Sequence, residues 1–174
     1  MKRTGRGFVT GKLAIVYSDD YQKYYFGPDH LLRPKRLALT VRLMESVGVL
    51  SHPNVIVVEP RECGVEELQL VHHPDYIELV RTLSRSGRGY LDCGDTPAFL
   101  GMFEVTKKIV GSSLTAAGLI ATGQVSHAFI IGLYHATSSR GSGFCVFNDV
   151  ACTVRYPRRL PKPGADTTRT YRGR

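Results

Sequence analysis

The 174-residue sequence lacks tryptophan, and no apolar run approaches the ~18 residues that span a bilayer. The basic residues 1–6 are not followed by the apolar stretch of a secretory signal. The four cysteines form no Cys-x-x-Cys pair and no zinc-finger spacing; they are Cys63, Cys93, Cys145 and Cys152. These absences argue against a membrane span, a secreted disulfide scaffold and a zinc finger. They predict reduced thiols in a cytoplasmic protein.

The net charge of +8 is confined to the two ends of the sequence. Residues 1–6 carry three basic side chains, and residues 155–174 carry seven basic side chains and one acidic side chain. Residues 7–154 are close to neutral, with 13 basic and 14 acidic side chains. A basic tail can bind polyanions without specificity. Such a tail is more often solvated, so we keep nucleic-acid binding only as an alternative and expect no nucleic-acid partner.

Short apolar runs alternate with helical patterns, which predicts an α/β domain with a parallel sheet. A chain of this length is enough for one domain with a substantial core. Strands are predicted at residues 12–17, 55–58 and 127–131. Helices are predicted from Pro34 to Gly48, from Gly64 to Leu68, from Pro74 to about Leu83, from Pro97 to Gly123 and over residues 144–154, with a loop at 84–89.

The composition changes after Val154. Residues 155–174 contain three prolines and no Val, Ile, Met or Phe. Such a segment buries too little apolar surface to offset its ordering entropy. We therefore predict a domain over residues 1–154 and a basic, disordered or frameshifted tail over 155–174.

The loop after the third predicted strand is the first place to look for chemistry, because ligands gather beyond the carboxyl ends of parallel strands. It carries Tyr134 and His135, then a polar stretch, then Gly143 and Phe144. An imidazole can take and give a proton near neutral pH. His135 is therefore a candidate acid–base group, with a hydrogen-bonded structural histidine as the alternative.

The order of the motifs resembles the histone deacetylase family, which includes acetoin-utilization proteins and acetylpolyamine amidohydrolases. The resemblance covers about residues 12–154 and implies the N-terminal half of an arginase/deacetylase-like, three-layer parallel-sheet fold. Its motifs are Tyr24-Tyr-Phe-Gly with His30 and Arg33-Pro-Lys-Arg36, Val71-His-His-Pro-Asp-Tyr-Ile77, Gly94-Asp-Thr-Pro97, Gly132-Leu-Tyr-His-Ala136, and Ser142-Gly-Phe-Cys145 followed by Asn148-Asp149.

The resemblance implies a zinc-dependent deacetylase that hydrolyses the amide of acetyl-lysine or of an acetylpolyamine. His135 matches the family's general base, and Asp95 matches the residue that grips the substrate backbone. Gly143 and Phe144 match the lining of the acyl-lysine tunnel, and Arg36 matches the arginine beside the internal channel. The resemblance implies a structural role for Asn148 and Asp149, and we interpret His72 and His73 as surface or capping residues away from the catalytic turn.

The sequence departs from the family at two places. The first catalytic histidine of the family is Tyr134 here, and a neutral phenol does not readily carry a proton near pH 7. The family's zinc-binding Asp-x-His pair is absent, and after Asp149 the sequence contains one acid, Asp166, and no histidine. A catalytic zinc needs three protein ligands. We therefore expect a truncated or frameshifted homologue that is inactive alone, or a fragment or pseudoenzyme that pairs with a separate C-terminal half.

Overall fold

Three parallel strands organise the chain, whose computed structural model describes residues 11–156. The central strand β1 (Leu13–Val16) lies between β2 (Val55–Val58) and β3 (His127–Phe129) and pairs in parallel with both. The register places Ile15 of β1 opposite Val57 of β2 and Phe129 of β3. This arrangement confirms the predicted α/β class and its parallel sheet.

The side chains of β1 alternate between two apolar clusters on opposite faces of the sheet, as the period of a strand requires. Ile15 belongs to the larger cluster, whereas Ala14 and Val16 belong to the smaller one with Leu119. Because both faces are covered, β1 consists of apolar residues without interruption, which is the usual pattern of a central parallel strand.

Helices and loops connect the strands. They are α1 (Lys35–Ser46), α2 (Val65–Leu68), α3 (Pro74–Ser86), α4 (Met102–Ala121) and α5 (Asp149–Arg155), and a 3-10 helix covers Asp19–Lys23. Pro74 stands in the first turn of α3, where its missing N–H costs nothing, and Gly87 ends that helix with φ 63°. Pro74 gave the predicted start of α3, whereas the helix was predicted to end at about Leu83, before Gly87.

Helix α4 is the main core element, and most of its side chains are buried. It carries Gly111, where an added Cβ would lie 1.9 Å from the carbonyl oxygen of Arg61. A glycine is therefore required for α4 to approach the segment after β2 this closely. The same helix contributes Leu114 to the larger cluster and Leu119 to the smaller one, so α4 joins the two faces of the core.

Several predicted boundaries were wrong. Helix α3 extends to Ser86, so the predicted loop at 84–89 begins later. Helix α4 begins only at Met102, because the residues after Pro97 first form backbone hydrogen bonds with residues 84–91. The third strand ends at Phe129, and the predicted helix over 144–154 is limited to α5, which begins at Asp149.

All four cysteines are free thiols, as expected, and Cys145 and Cys152 are buried as small apolar side chains. No helix among residues 11–156 has the length and apolar character needed to cross a membrane. Most of the predicted tail, residues 157–174, lies outside the described part of the chain.

Candidate active site

The candidate site lies beyond the carboxyl end of β3, in a stretch without regular structure. We call residues 133–136 the base segment, because it carries His135. Tyr134 and His135 are both exposed, and their rings are 4.3 Å apart at an angle of 32°. The base segment therefore presents a phenol and an imidazole side by side at the end of the sheet where ligands bind.

The base segment is fixed by the two residues at the start of α5. The Nδ2 of Asn148 donates to the carbonyl oxygens of Tyr134, at 2.7 Å, and of Ala136, at 2.9 Å. The carboxylate of Asp149 accepts from the N–H of Leu133 at 3.0 Å, and the Asp149 N–H donates to the Leu133 carbonyl at 2.9 Å. These four bonds bracket Tyr134 and His135.

Asp149 is fully buried, and burial raises the pKa of its carboxyl above the ordinary value. The Ser113 hydroxyl and the N–H groups of Leu133 and Val150 donate to this carboxyl and oppose that rise. A Cβ on Gly132 would lie 2.5 Å from Oδ2 of Asp149, so glycine is needed there. The carboxyl is thus occupied by the backbone and by Ser113.

The loop between the base segment and α5 faces His135. Gly143 has φ 54°, and a Cβ at this position would lie 3.0 Å from Cγ of His135. Phe144 also has positive φ, 66°, an uncommon conformation for a residue with a side chain. Its carbonyl accepts from the Tyr24 hydroxyl at 2.5 Å. The absence of a side chain at Gly143 therefore lets the loop approach the imidazole closely.

An aromatic wall extends from Phe144 to the loop that carries Asp95. The rings of Phe144 and His30 are 4.7 Å apart, and His30 also lies against Phe26 at 4.5 Å. The Nε2 of His30 lies 3.1 Å from the Asp95 carbonyl oxygen. A hydrogen bond with Asp92 raises the pKa of the exposed Asp95 carboxyl. His30 thus links Asp95 to the wall.

Arg36 is exposed, and it borders a cavity of about 20 Å³ that Leu133 of the base segment also lines. Tyr21, Tyr24 and Leu133 line the same cavity, among other residues. The structure therefore brings His135, Tyr134, Gly143 and Phe144 together. It places Asp95 at the far end of the aromatic wall and Arg36 by the cavity below.

A comparison with protein-family models matches residues 30–162, more than half of the chain, to the histone deacetylase domain. The chain belongs to the histone deacetylase domain family. This confirms the resemblance seen in the motifs.

Two curated relatives are acetoin utilization proteins AcuC. The protein of Bacillus subtilis (strain 168) is 37% identical over 151 residues, which are 82% of this chain and 38% of that protein. The protein of Staphylococcus aureus (strain MSSA476) is 35% identical over 156 residues, which are 84% of this chain and 40% of that protein. The chain therefore spans about two fifths of the length of these relatives.

A solved structure of the same family supports the fold. The crystal structure of the HDA15 HD domain is 25% identical and superposes with a TM-score of 0.76. The match covers 86% of this chain and 44% of the HDA15 chain. The parallel sheet of residues 11–156 is thus the N-terminal part of a deacetylase-like fold.

Deacetylases of this family generally use zinc, but residues 11–156 do not provide its ligand set. In this part of the chain no group of three His, Cys, Asp or Glu side chains is placed to hold a metal ion. Beside His135 stand Tyr134 and Gly143, and the Asp149 carboxyl is occupied by hydrogen bonds. A catalytic zinc requires three protein ligands, so the described residues do not fit it.

The interpretation of His72 as a surface or capping residue away from the catalytic turn was wrong. His72 is 1% exposed, and its Nε2 accepts from the backbone N–H of Asn148 at 3.0 Å. His73, in contrast, precedes α3 and is exposed. His72 lies two residues before α3, so the helical spacing of Tyr76 and Val80 does not extend to it, and no local sequence signal indicated its burial. His30 was named in the opening motif but was given no role, because a single histidine in a loop offers no spacing from which a role could be predicted.

Proposed function

We propose that this chain supplies the general base and the tunnel wall of a deacetylase that hydrolyses the amide of acetyl-lysine. One observation carries the proposal. In a chain of the histone deacetylase domain family, the exposed imidazole of His135 lies against Gly143 at the carboxyl end of β3. Asn148 and Asp149 fix the backbone on both sides of that imidazole.

His135 would act on the water that attacks the acetyl carbonyl carbon. The imidazole takes a proton from this water as the new C–O bond forms, and it returns a proton to the amine as the C–N bond breaks. The products are acetate and the free amine. Tyr134 can hydrogen-bond the water, but its neutral phenol cannot relay a proton near pH 7. His135 therefore works without a second histidine.

The other site residues would hold the substrate. Gly143 and Phe144 would line the passage of the acyl-lysine chain beside His135, and Asp95 at the rim would accept hydrogen bonds from the substrate backbone. Arg36 lies beside the cavity below the base segment, where its charge suits the acetate product. An acetylated polyamine fits the same passage and stays the alternative substrate.

We further infer that the chain is inactive alone and pairs with a polypeptide that corresponds to the rest of the deacetylase domain. This polypeptide would supply the zinc ligands. Two features support the pairing. The chain spans 38–40% of the AcuC relatives, and within residues 11–156 β3 is an edge strand with Phe129 42% exposed. Edge strands offer unpaired backbone groups to a partner.

The surface for this partner adjoins the base segment. A shallow groove of about 370 Å³ lies on α5; it is lined by Tyr134, Asn148, Val150, Ala151, Val154 and Arg155. We call it the α5 groove. Val154 is 68% exposed and Val150 is 49% exposed, although both are apolar. A partner seated in the α5 groove would cover these side chains and close the site over Tyr134.

The pairing is tested by co-expressing this chain with the part of B. subtilis AcuC that the chain does not match. We expect a complex with one copy of each by size-exclusion chromatography with light scattering, and Val154→Asp should abolish it. Leu43→Asp is the matched control, because Leu43 on α1 is also apolar and 62% exposed. Equal binding by wild type and Val154→Asp would contradict the pairing through the α5 groove.

The activity is tested in a single chain that joins residues 1–156 to the same AcuC part. We expect hydrolysis of an acetyl-lysine peptide, and His135→Ala should lower kcat by about 10²–10⁴-fold, the range of general-base catalysis. Tyr134→His should raise kcat, whereas Tyr134→Phe should not. Full activity in His135→Ala would refute the assigned base. An acetylspermidine substrate that is preferred over the peptide would favour the polyamine alternative.

The four free thiols support a cytoplasmic location, which we propose together with this activity. Expression of the tagged chain in a bacterial host tests it. The tag should fractionate with cytoplasmic proteins, and recovery from the periplasm would contradict the proposal.

A further inference from the structure

The chain that precedes α5 is held by two side chains at the beginning of α3. We call residues 146–149 the support segment, because Asn148 and Asp149 bracket the base segment. Nε2 of His72 accepts from the N–H of Asn148 at 3.0 Å, and the Tyr76 hydroxyl donates to the Val146 carbonyl at 2.7 Å. These bonds span 76 and 70 residues of sequence. They connect α3 to the candidate site.

The ring of His72 also packs against two aromatic rings. It lies 5.1 Å from the Phe147 ring and 5.7 Å from the Tyr76 ring, and all three side chains are buried. The N–H of the next residue, His73, donates to the Ser138 carbonyl at 2.9 Å, just beyond the base segment. The start of α3 therefore contacts the chain on both sides of the site.

We propose that His72 is a positioning residue for His135. Its neutral imidazole accepts at Nε2 and so fixes the Asn148 backbone. The Asn148 side chain in turn holds the carbonyls of Tyr134 and Ala136 on either side of His135. Because it acts through Asn148, His72 needs no contact with substrate. The role rests on the proposed function of His135, but its test below does not need catalytic activity.

The first measurement uses the unmodified chain. An acceptor at Nε2 requires that the ring proton is on Nδ1. Long-range ¹H–¹⁵N spectra of the ¹⁵N-labelled chain report which ring nitrogen carries the proton. We expect the Nδ1–H tautomer for His72 and a through-hydrogen-bond coupling between its Nε2 and the Asn148 amide. An Nε2–H tautomer at neutral pH would overturn the proposal.

The second measurement uses amide hydrogen exchange in two variants of His72. His72→Phe keeps an aromatic ring but removes the acceptor, and His72→Gln offers an acceptor oxygen near the position of Nε2. In His72→Phe we expect the amides of Leu133 and Asn148 to exchange at least about tenfold faster, the factor for losing about 1.4 kcal/mol locally. His72→Gln should restore most of this protection.

Val80→Ala is the control for a general loss of stability, because Val80 is a fully buried residue of α3 whose apolar side chain cannot form a hydrogen bond with the support segment. This variant should accelerate exchange throughout the core. If His72→Phe accelerates exchange at Leu133 no more than in α4, His72 is only a core residue and the positioning role is refuted. If His72→Phe does not fold, the tautomer of the unmodified chain decides the question. A failure of the deacetylase proposal would leave these exchange results unchanged.

Discussion

At the scale of single residues, the polar side chains of Asn148 and Asp149 bind mainly backbone groups. Asp149 is buried, yet its carboxyl accepts from Leu133, Val150 and Ser113. The Nδ2 of Asn148 donates to the carbonyls of Tyr134 and Ala136, and its Oδ1 accepts from the N–H of Ala151. Buried polar groups usually need such partners, so these residues are committed to holding the base segment.

Replacement of Asp149 tests whether its hydrogen bonds hold the base segment. Asp149→Ala should lower the free energy of unfolding by about 1–3 kcal/mol, because it leaves the Leu133 N–H buried without its acceptor. Asp149→Asn should cost less, since its oxygen can still accept from that N–H. Urea denaturation at neutral pH measures both changes, and Asp29→Ala at an exposed position is the control. Equal stability of Asp149→Ala and the unmodified chain would disprove this account of the site.

The buried imidazole of His72 predicts a pH dependence of stability. Burial lowers its pKa from 6.5 to about 4, while Thr137 and Ser138 backbone groups oppose this shift. The folded chain therefore binds a proton less readily than the unfolded chain. The stability that neutral His72 contributes is complete above pH 6.5 and is lost as the pH falls towards 4.

The unmodified chain should thus lose up to about 1.4 kcal/mol per pH unit relative to His72→Gln between pH 6.5 and 4. Parallel urea denaturation of the two proteins across this range isolates the contribution of His72, since the other histidines are common to both. Parallel stability curves would show that His72 titrates normally and is not buried as described.

At the scale of elements, predictions succeeded where one local signal decides. Pro74 marks the start of α3, and the apolar run of β1 marks a buried strand. The predictions failed where groups that are distant in the sequence determine the local structure. Residues 144–148 belong to an apolar stretch that was predicted as helix, but the hydroxyls of Tyr24 and Tyr76 donate to the carbonyls of Phe144 and Val146. These bonds come from 120 and 70 residues away, so no local pattern shows them.

A second contact between elements joins the 3-10 helix, the end of β2 and α4. Lys108 of α4 lies 2.6 Å from the carboxylate of Asp20 and 2.9 Å from that of Glu59. Hydrogen bonds from Lys108 and then Lys23 lower the pKa of Asp20 from 3.8 to about 2. Because the folded pKa is the lower one, the stabilisation is present above pH 3.8 and is lost as the pH falls to 2.

Asp20→Asn should therefore lower the free energy of unfolding at pH 7, by about 1 kcal/mol or less because the carboxylate is partly exposed. The difference from the unmodified chain should shrink as the pH falls from 4 to 2. Denaturant unfolding at pH 7 and pH 2.5 measures it, with Asp29→Asn as the control. An undiminished difference at pH 2.5 would show that the ion pairs are not its source.

At the scale of the whole molecule, family and fold class were predictable from the sequence, since five motifs occur in order and strands alternate with helices. The candidate site was predictable only in part. The motifs named His135 and Gly143, whereas the support from His72 depends on folding and could not be predicted. The chain spans about two fifths of the length of its AcuC relatives, and residues 11–156 carry the candidate base, His135, without a zinc ligand set.

The zinc content of two purified proteins shows whether the metal ligands lie outside this chain. One is the chain alone, and the other is the single chain that joins residues 1–156 to the unmatched part of B. subtilis AcuC. Elemental analysis after dialysis should find no stoichiometric zinc in the first protein and about one zinc per chain in the second. One tightly bound zinc in the chain alone, together with acetyl-lysine hydrolysis, would contradict the claim that the metal ligands lie outside it.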